Sequence, residues 1–523
     1  MPEYLYPGVY VEEIDTGNKP IEGVSTSTVG FLGIAERGPT TAMFITSYAD
    51  FVRSFGSYYQ YKYKNTPAQA YLAYSVEGFF LNGGLRCWVT RVTSIDAANP
   101  AATASTTLAN IKISAAGPGL TGNNIGYQVR AASGAPGDNT LFRLTIFYWS
   151  PQTTVNAADG TTATQIEDFD NVSTNPNAST YFKAEINSAS NLVVVDQPAR
   201  GTIAATAGIV MLGATAGDTK GSDGADVVEN DFTGIDYDPV KQIGPTGLTA
   251  LSKTDDVSIL CCPDEHAFDR GTIAGLLTTQ CDTLKDRFAI LSSAAQEAKP
   301  GNFSPTGISQ RGYSAFYYPW LNIVDPKTSL ITLIPPAGHI AGIYARSDNN
   351  DNVAKDPANE QIAGIDSLQL AIDNQTQAQL NPIGINCLRF FRGQGNLVWG
   401  GRTTSPDPDW KYISVRRLFI FIEKSIQQGT QWVVFEPNDE PTWARVRRSV
   451  SDFLTGLWMQ DMLQGATKDQ AYFVRCDRTT MTQSDIDNGR LIVIVGIAPV
   501  KPAEFVIFRI GQWTGGSSVT EGQ

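Results

Sequence analysis

The side chains able to do chemistry are few in this chain, and their spacing works against it. Two histidines, His266 and His339, lie in no motif that sets a histidine beside a serine or cysteine nucleophile and a carboxylate. Both read as ordinary polar residues of loops. Six cysteines (Cys87, Cys261, Cys262, Cys281, Cys387 and Cys476) show no CxxC spacing and read as reduced, buried side chains. Cys261 and Cys262 are adjacent, which is poor geometry for a shared disulfide or a chelating pair. The stretch Gly393-Gln394-Gly395-Asn396 lacks a third glycine at dinucleotide spacing, and no GK[ST] occurs. A calcium loop over Asp348–Glu360 fails twice: Val353 stands where a glycine must turn, and Asn359 where a bidentate glutamate is needed. Asp264 and Glu265 follow a strand, where α/β enzymes place ligands, but they read more simply as two exposed carboxylates in a turn. No catalytic, cofactor-binding or metal-binding residue is assigned, and the chain reads as a non-enzyme.

The whole chain says what such residues would have to be mounted on. At 523 residues it exceeds one compact core and suggests two to four domains. With 42% hydrophobic and 17% charged residues it is a folding composition. A net charge of −13 argues against a dedicated nucleic-acid partner, which would need a basic footprint. The opening MPEYLYPGVYVEEI has no basic n-region or apolar h-region. The run Leu491–Val500 is about half a membrane span. We expect a soluble, cytoplasmically made chain without direct membrane insertion, in which the N-x-S/T triplets at Asn171, Asn177 and Asn302 carry no glycosylation.

Element signals divide the chain. Gly8–Ile14 is a short β-prone run between Pro7 and a polar turn; Val24–Ile34 reads as a strand closed by Gly38-Pro39. Phe51, Phe55, Tyr71, Tyr74, Phe79 and Phe80 supply aromatic core before a strand at Arg86–Val89. From about residue 96 to 240 Ala, Thr, Ser and Gly dominate, with short strands at Leu141–Tyr148 and Asn191–Val195, an all-β reading. Strand–helix alternation follows: Val257–Cys262, a helix over Ile273–Phe288, a strand from Ala289. Val415, Leu418, Phe419, Ile422 and Ile426 mark one face of a helix ended by Gly429. A second helix starts after Asn438-Asp439, with Pro441 in its first turn, and runs to Gly465. Strands at Leu491–Ile497 and Glu504–Ile510 close the chain. The fold class expected is α+β and multidomain: α/β core domains, an inserted mainly-β domain, and extended terminal strand arms.

Several ordered blocks resemble the contractile tail sheath family of phages, tailocins and extracellular contractile injection systems. At the N-terminus these are Tyr6–Ile14 (YPGVYVEEI), Lys19–Phe31 and Arg37–Pro39. In the middle they are Gly247–Leu251, Asp255–Leu260, Pro263-Asp264, Tyr317–Trp320, Pro335–Gly338 and Pro357–Asn359. The C-terminal blocks are the most specific: Leu380-Asn381, Gly384–Asn386, Val398–Thr403, Tyr412–Arg417, Val434–Asn438 and Ala471–Val474. The resemblance implies a linker arm at 1–20, a middle α/β domain from 21–95 with 241–385, and an inserted outer β-rich domain at 96–240. It further implies an inner domain at 386–500 and a strand arm at 501–523. A structural subunit is then expected, one that polymerises into a helical cylinder around an inner tube and contracts to drive it through a target envelope. Its partners would be its own copies, the tube protein, and baseplate and terminal cap proteins. It would be assembled in a bacterial cytoplasm as part of a phage tail or injection particle, with no cofactor. A capsid, baseplate or surface-layer protein is the alternative, and an α/β enzyme a more remote one.

The resemblance also implies arms that add strands to neighbouring subunits. Gly8, Val9, Tyr10, Val11 and Glu12, with Phe505, Val506, Ile507 and Phe508, are the expected arm residues, against the reading that both runs are internal strands of one sheet. Residues 96–240 carry fifteen acidic and six basic side chains, while 386–450 carry ten basic and six acidic. An acidic outer domain would favour solubility, and a basic inner surface would suit an acidic tube. Arg416, Arg417, Arg445, Arg447 and Arg448 are the tube-facing candidates; pairing inside the chain with Glu436, Asp439 and Glu440 is the other reading.

Overall fold

A computed structural model describes residues 20–63, 66–108, 110–134, 138, 140–151, 153–199, 201–239, 244–266, 271–294 and 304–509. The expected strand Gly8–Ile14, and with it Gly8, Val9, Tyr10, Val11 and Glu12, lies outside these residues.

Four short, apolar strands build the centre: Val29–Gly33, Ile259–Cys261, Phe288–Ser292 and Ser314–Tyr318 are buried along their whole length. Continuous burial without alternation is what a parallel sheet covered on both faces requires. They pair in parallel, Val29 beside Ile259, Ile259 beside Phe288, and Ala289 beside Ser314. Cys87–Arg91 joins parallel on one side and Ile385–Phe391 on the other. Antiparallel strands Met43–Ile45, Gly395–Trp399 and Glu360–Gln361 complete nine strands. The expected boundary at 385/386 is thereby corrected, because the strands at 385–399 are part of the central sheet.

Helices Leu72–Leu81 and Ala337–Asn350 lie against each other with almost no side-chain spacer. A Cβ at Gly338 or Gly342 would collide with backbone of Ser75 or Phe79, and one at Gly78 with the His339 ring. His339 is therefore a buried helical residue rather than a loop residue, and burial pushes its imidazole down to about 4.

The region expected to be all-β has its own core. Residues Ala104 to Leu212 supply a separate cluster including Ile113, Tyr127, Leu144, Ile146, Phe182 and Val195. Sheets of four and three strands enclose it, together with the helix Phe182–Ala189, which the Ala/Ser-rich composition concealed. Leu141–Tyr148 is a strand as expected. The seam to the central sheet is polar and closed. Arg91 donates to the carbonyls of Ala35 (3.0 Å) and Pro118 (2.6 Å), Tyr148 Oη donates to Glu36, and Arg37 reaches Gln165 at 2.8 Å.

The helix Ile413–Gly429 links the centre to a third core. Ile413 and Ile420 face the central cluster, while Leu418 and Ile422 join Val446, Val450, Leu454 and Leu457 of the helix Glu440–Met459. Asp439 caps the second helix by accepting from Thr442 N at 3.0 Å, and Pro441 sits in its first turn. Strands Tyr472–Arg475 and Ile494–Ile497 form a two-stranded antiparallel sheet beside it. Among the described residues no helix is long and apolar enough to cross a membrane.

Candidate functional site

In an open α/β sheet a ligand site belongs where the strand order reverses, at the carboxyl ends of the strands. Here that crevice lies between Val29–Gly33 and Ile259–Cys261, and Asp264 fills it. Its carboxylate accepts from Ile34 N at 2.8 Å and Tyr71 N at 2.7 Å. Glu265 accepts from Ser292 N at 2.5 Å, and the His266 Nε2 meets the Ser292 carbonyl at 2.5 Å. The expectation of two exposed carboxylates is overturned, because both are fully buried. Burial raises Asp264 to about 7 and Glu265 to about 8, against the backbone donors that lower them. These groups hold strand ends together. All six cysteines are free and buried.

The basic residues of the C-terminal helices are mostly engaged within the chain. Arg416 is buried with its guanidinium 3.3 Å from the centre of the Trp410 ring, and it donates to the Arg311 carbonyl at 2.8 Å. Arg417 is buried against Asp348 at 2.5 Å and donates to the Thr26 carbonyl at 3.0 Å. Neither can face a tube, so those two expectations are corrected; each guanidinium serves packing within the chain. Arg445 pairs with Glu436 at 2.9 Å, the intramolecular alternative, while remaining exposed. Arg447 donates to the Cys476 carbonyl at 2.9 Å, and Arg448 is exposed. Glu440 lies 3.7 Å from Arg478, and Asp439 is the helix cap.

The C-terminal segment is where the chain commits its surface. After Ile497 the backbone pairs with residues 462–464, Gln464 N donating to Ala498 O at 2.8 Å, and then crosses to the central sheet. There Glu504 is clamped. Arg402 grips it with Nε at 2.7 Å and Nη2 at 2.8 Å, Asn381 Nδ2 donates at 2.8 Å, and Lys411 lies at 3.2 Å. Partial burial opposes ionisation, but these donors outweigh it and hold the carboxyl at about 2. A groove of about 580 Å³ opens beside the clamp, lined by Trp399, Tyr412, Ala503 and Phe505. Beyond Glu504, Phe505, Val506, Ile507 and Phe508 are 70–83% exposed and belong to no sheet among the described residues, so the expected strand at Glu504–Ile510 has no partner there over its described length. The two-stranded sheet also stays open, with no third strand on either edge among the described residues. Glu504 and Arg402 lay inside blocks read from the sequence, but their pairing across a hundred residues left no local signal.

The site is thus a crevice filled by its own carboxylate, beside a clamped apolar segment and a two-stranded sheet whose edges are open among the described residues. Residues 242–404 match the phage tail sheath protein central domain and residues 405–512 the phage tail sheath C-terminal domain, together more than half of the chain. The chain belongs to the contractile tail sheath family. It is 31% identical over 177 residues to the tail sheath protein of Vibrio phage KVP40, covering 33% of this chain and 26% of that one. To the tail sheath protein of Enterobacteria phage T4 it is 28% identical over 258 residues, covering 48% and 36%. These matches span about a quarter to a third of either relative's length. The fold is similar to that in the helical sheath of the anti-feeding prophage in its contracted state. There the TM-score is 0.57 and the identity 23%, over 97% of this chain and 99% of that one.

Proposed function

We propose that this chain is a sheath subunit that polymerises into a helical cylinder around an inner tube and contracts to drive that tube through a target envelope. The observation that carries this reading is the C-terminal arm, clamped at Glu504 and unpaired through Phe508. A run of exposed apolar residues is a liability in a monomer and an asset where another chain supplies the missing partner. The sheet Tyr472–Arg475/Ile494–Ile497 is the matching recipient, since two strands alone are marginal and its edges can accept main-chain pairing. Arms at Gly8–Ile14 and Phe505–Phe508 would tether neighbours through main-chain hydrogen bonds that survive rigid-body rotation of the domains. The names of the related proteins, tail sheath proteins of phages and a helical sheath in a contracted state, support the same reading.

The partners follow from it: further copies of the chain, an inner tube, and baseplate and cap proteins, in a phage tail or injection particle assembled in the bacterial cytoplasm. Residues 96–240, acidic and folded around their own core, would form the outer domain. Arg445, Arg447 and Arg448 remain as tube-facing candidates. Contraction would release energy stored at assembly, without a nucleotide. Negative-stain microscopy of the purified chain, alone and with its tube protein, tests the reading. Hollow, helically ridged cylinders are expected. Closed shells or flat lattices would transfer the chain to a capsid or surface-layer role, and persistent monomers would sink assembly altogether.

A further inference from the structure

Between the two C-terminal helices the chain makes a turn that is costly to keep in a monomer. Phe435 is completely exposed (102%), and the neighbouring Val434 is 64% exposed. Its φ is +70°, in the left-handed region that side chains with a Cβ avoid. The turn is nevertheless firmly built. Glu436 N donates to Val433 O at 3.1 Å, Asp439 N to Pro437 O at 3.0 Å, and Asn438 Nδ2 to Arg490 O at 3.1 Å. Trp443 Nε1 donates back to Asn438 Oδ1 at 2.8 Å. A large aromatic ring is thus presented to solvent from a hydrogen-bonded turn on an unfavourable backbone. An outlier of that kind marks a contact supplied from outside, and a preorganised aromatic anchor is what an interface hot spot requires.

The same chain carries a socket of suitable size and character. A groove of about 380 Å³ lies across the helices Ile413–Gly429 and Glu440–Met459, with Ile21, Phe421, Phe453 and Leu457 as its apolar lining and Asp452 and Gln460 among its polar lining. A Cβ added at Gly456 would meet no atom of the described residues within 4 Å, so among them the groove is open there. Knob and socket sit toward opposite ends of the helix Glu440–Met459. At 1.5 Å per residue, Glu440 and Gly456 are about 24 Å apart, and Phe435, fully exposed, does not fill the groove of its own chain.

We infer that Phe435 of one subunit seats in the Phe421–Phe453 groove of a second copy of this chain. Two different surfaces of the same chain meeting in this way make a head-to-tail contact, which propagates into an open helix instead of closing into a dimer. The inference rests on the sheath reading and deepens it by naming a side-chain contact of the lattice that is separate from the strand arms.

Cysteine pairs test it, because all six native cysteines are buried and leave the surface free of competing thiols. Full-length Val434→Cys and Gly456→Cys chains, both keeping Phe435, are mixed, assembled and treated with a short bis-maleimide. Covalent dimers should form in assembled cylinders from the mixture, and neither from one variant alone nor from unassembled protein. In the same preparation Phe435→Ser should leave monomer melting unchanged and raise the critical concentration for assembly at least about tenfold. Cylinders that form without the cross-link, or with Phe435→Ser at the wild-type concentration, overturn the contact and leave the sheath reading standing. Cross-linking of Gly456→Cys to Thr16→Cys or to the tube protein also overturns it, by giving the socket another occupant. Wild-type protein that never polymerises removes the parent reading and this contact with it.

Discussion

Glu265 is a carboxyl whose position is set by what it holds together, not by what it could react with. Burial raises it from the ordinary 4.5 to about 8, and Asp264 from 3.8 to about 7. A carboxyl with a raised folded pKa binds protons more tightly folded than unfolded. Its favourable contribution is complete below the unfolded pKa near 4 and is lost as pH rises through the folded value. Each group can tilt stability by up to about 1.4 kcal/mol per pH unit across that window. Glu265→Gln keeps a carbonyl to accept from Ser292 N but cannot ionise. Its melting temperature should therefore fall less than that of the wild type between about pH 5 and 8.5. Parallel profiles would show that Glu265 stays ionised throughout. The sequence presented these carboxyls as an exposed turn because the groups that enclose them, Ile34, Tyr71 and Ser292, are contributed by three other stretches of the chain.

At the scale of elements, the helix Ile413–Gly429 is the joint between the central sheet and the C-terminal core, and Arg417 is its fastening. The guanidinium meets Asp348 of the helix Ala337–Asn350 at 2.5 Å with both side chains almost completely buried. Arg417→Met leaves the Asp348 carboxylate buried without its cation and should cost about 3–5 kcal/mol. Arg417→Met combined with Asp348→Leu should recover most of that, because no charge is then stranded. Urea unfolding of the three proteins measures both effects, and a single variant as stable as wild type would mean that water replaces the arginine. This joint was half legible. The 3.6-residue periodicity predicts the helix and its end at Gly429, and Asp439 with Pro441 predicts the start of the next. The predicted end at Gly465 overshoots. The helix stops at Met459 because Asp461 adopts φ +58° and Met462 N donates to Leu457 O at 3.1 Å, a glycine-type terminator made without glycine. The apparent basic surface misled for a related reason: Arg402, Arg417 and Lys424 are paired with Glu504, Asp348 and Asp286, all outside the counted window.

The whole molecule combines closed cores with an open edge, and the clamp at Glu504 decides how that edge is presented. Without a fixed point, the exposed segment Phe505–Phe508 would leave the body in many directions, and each strand added to a neighbour would have to order it first. Arg402, Asn381 and Lys411 supply the fixed point only while Glu504 is ionised. A folded pKa near 2, below the ordinary 4.5, means that the clamp is fully formed above about pH 4.5 and weakens as pH falls toward 2. Glu504→Gln should mimic that loss at neutral pH. The monomer should melt somewhat lower, because the donors that hold the folded pKa down also stabilise the folded chain. Its critical concentration for polymerisation should rise, and deletion of residues 505–523 should raise it further. Sedimentation across a concentration series separates the possibilities. Equal assembly of wild type and Glu504→Gln would mean that neighbours order the arm without help from its own body. Failure of the deletion alone would confine the requirement to the apolar strand, leaving the clamp a local stabiliser of the C-terminal crossing.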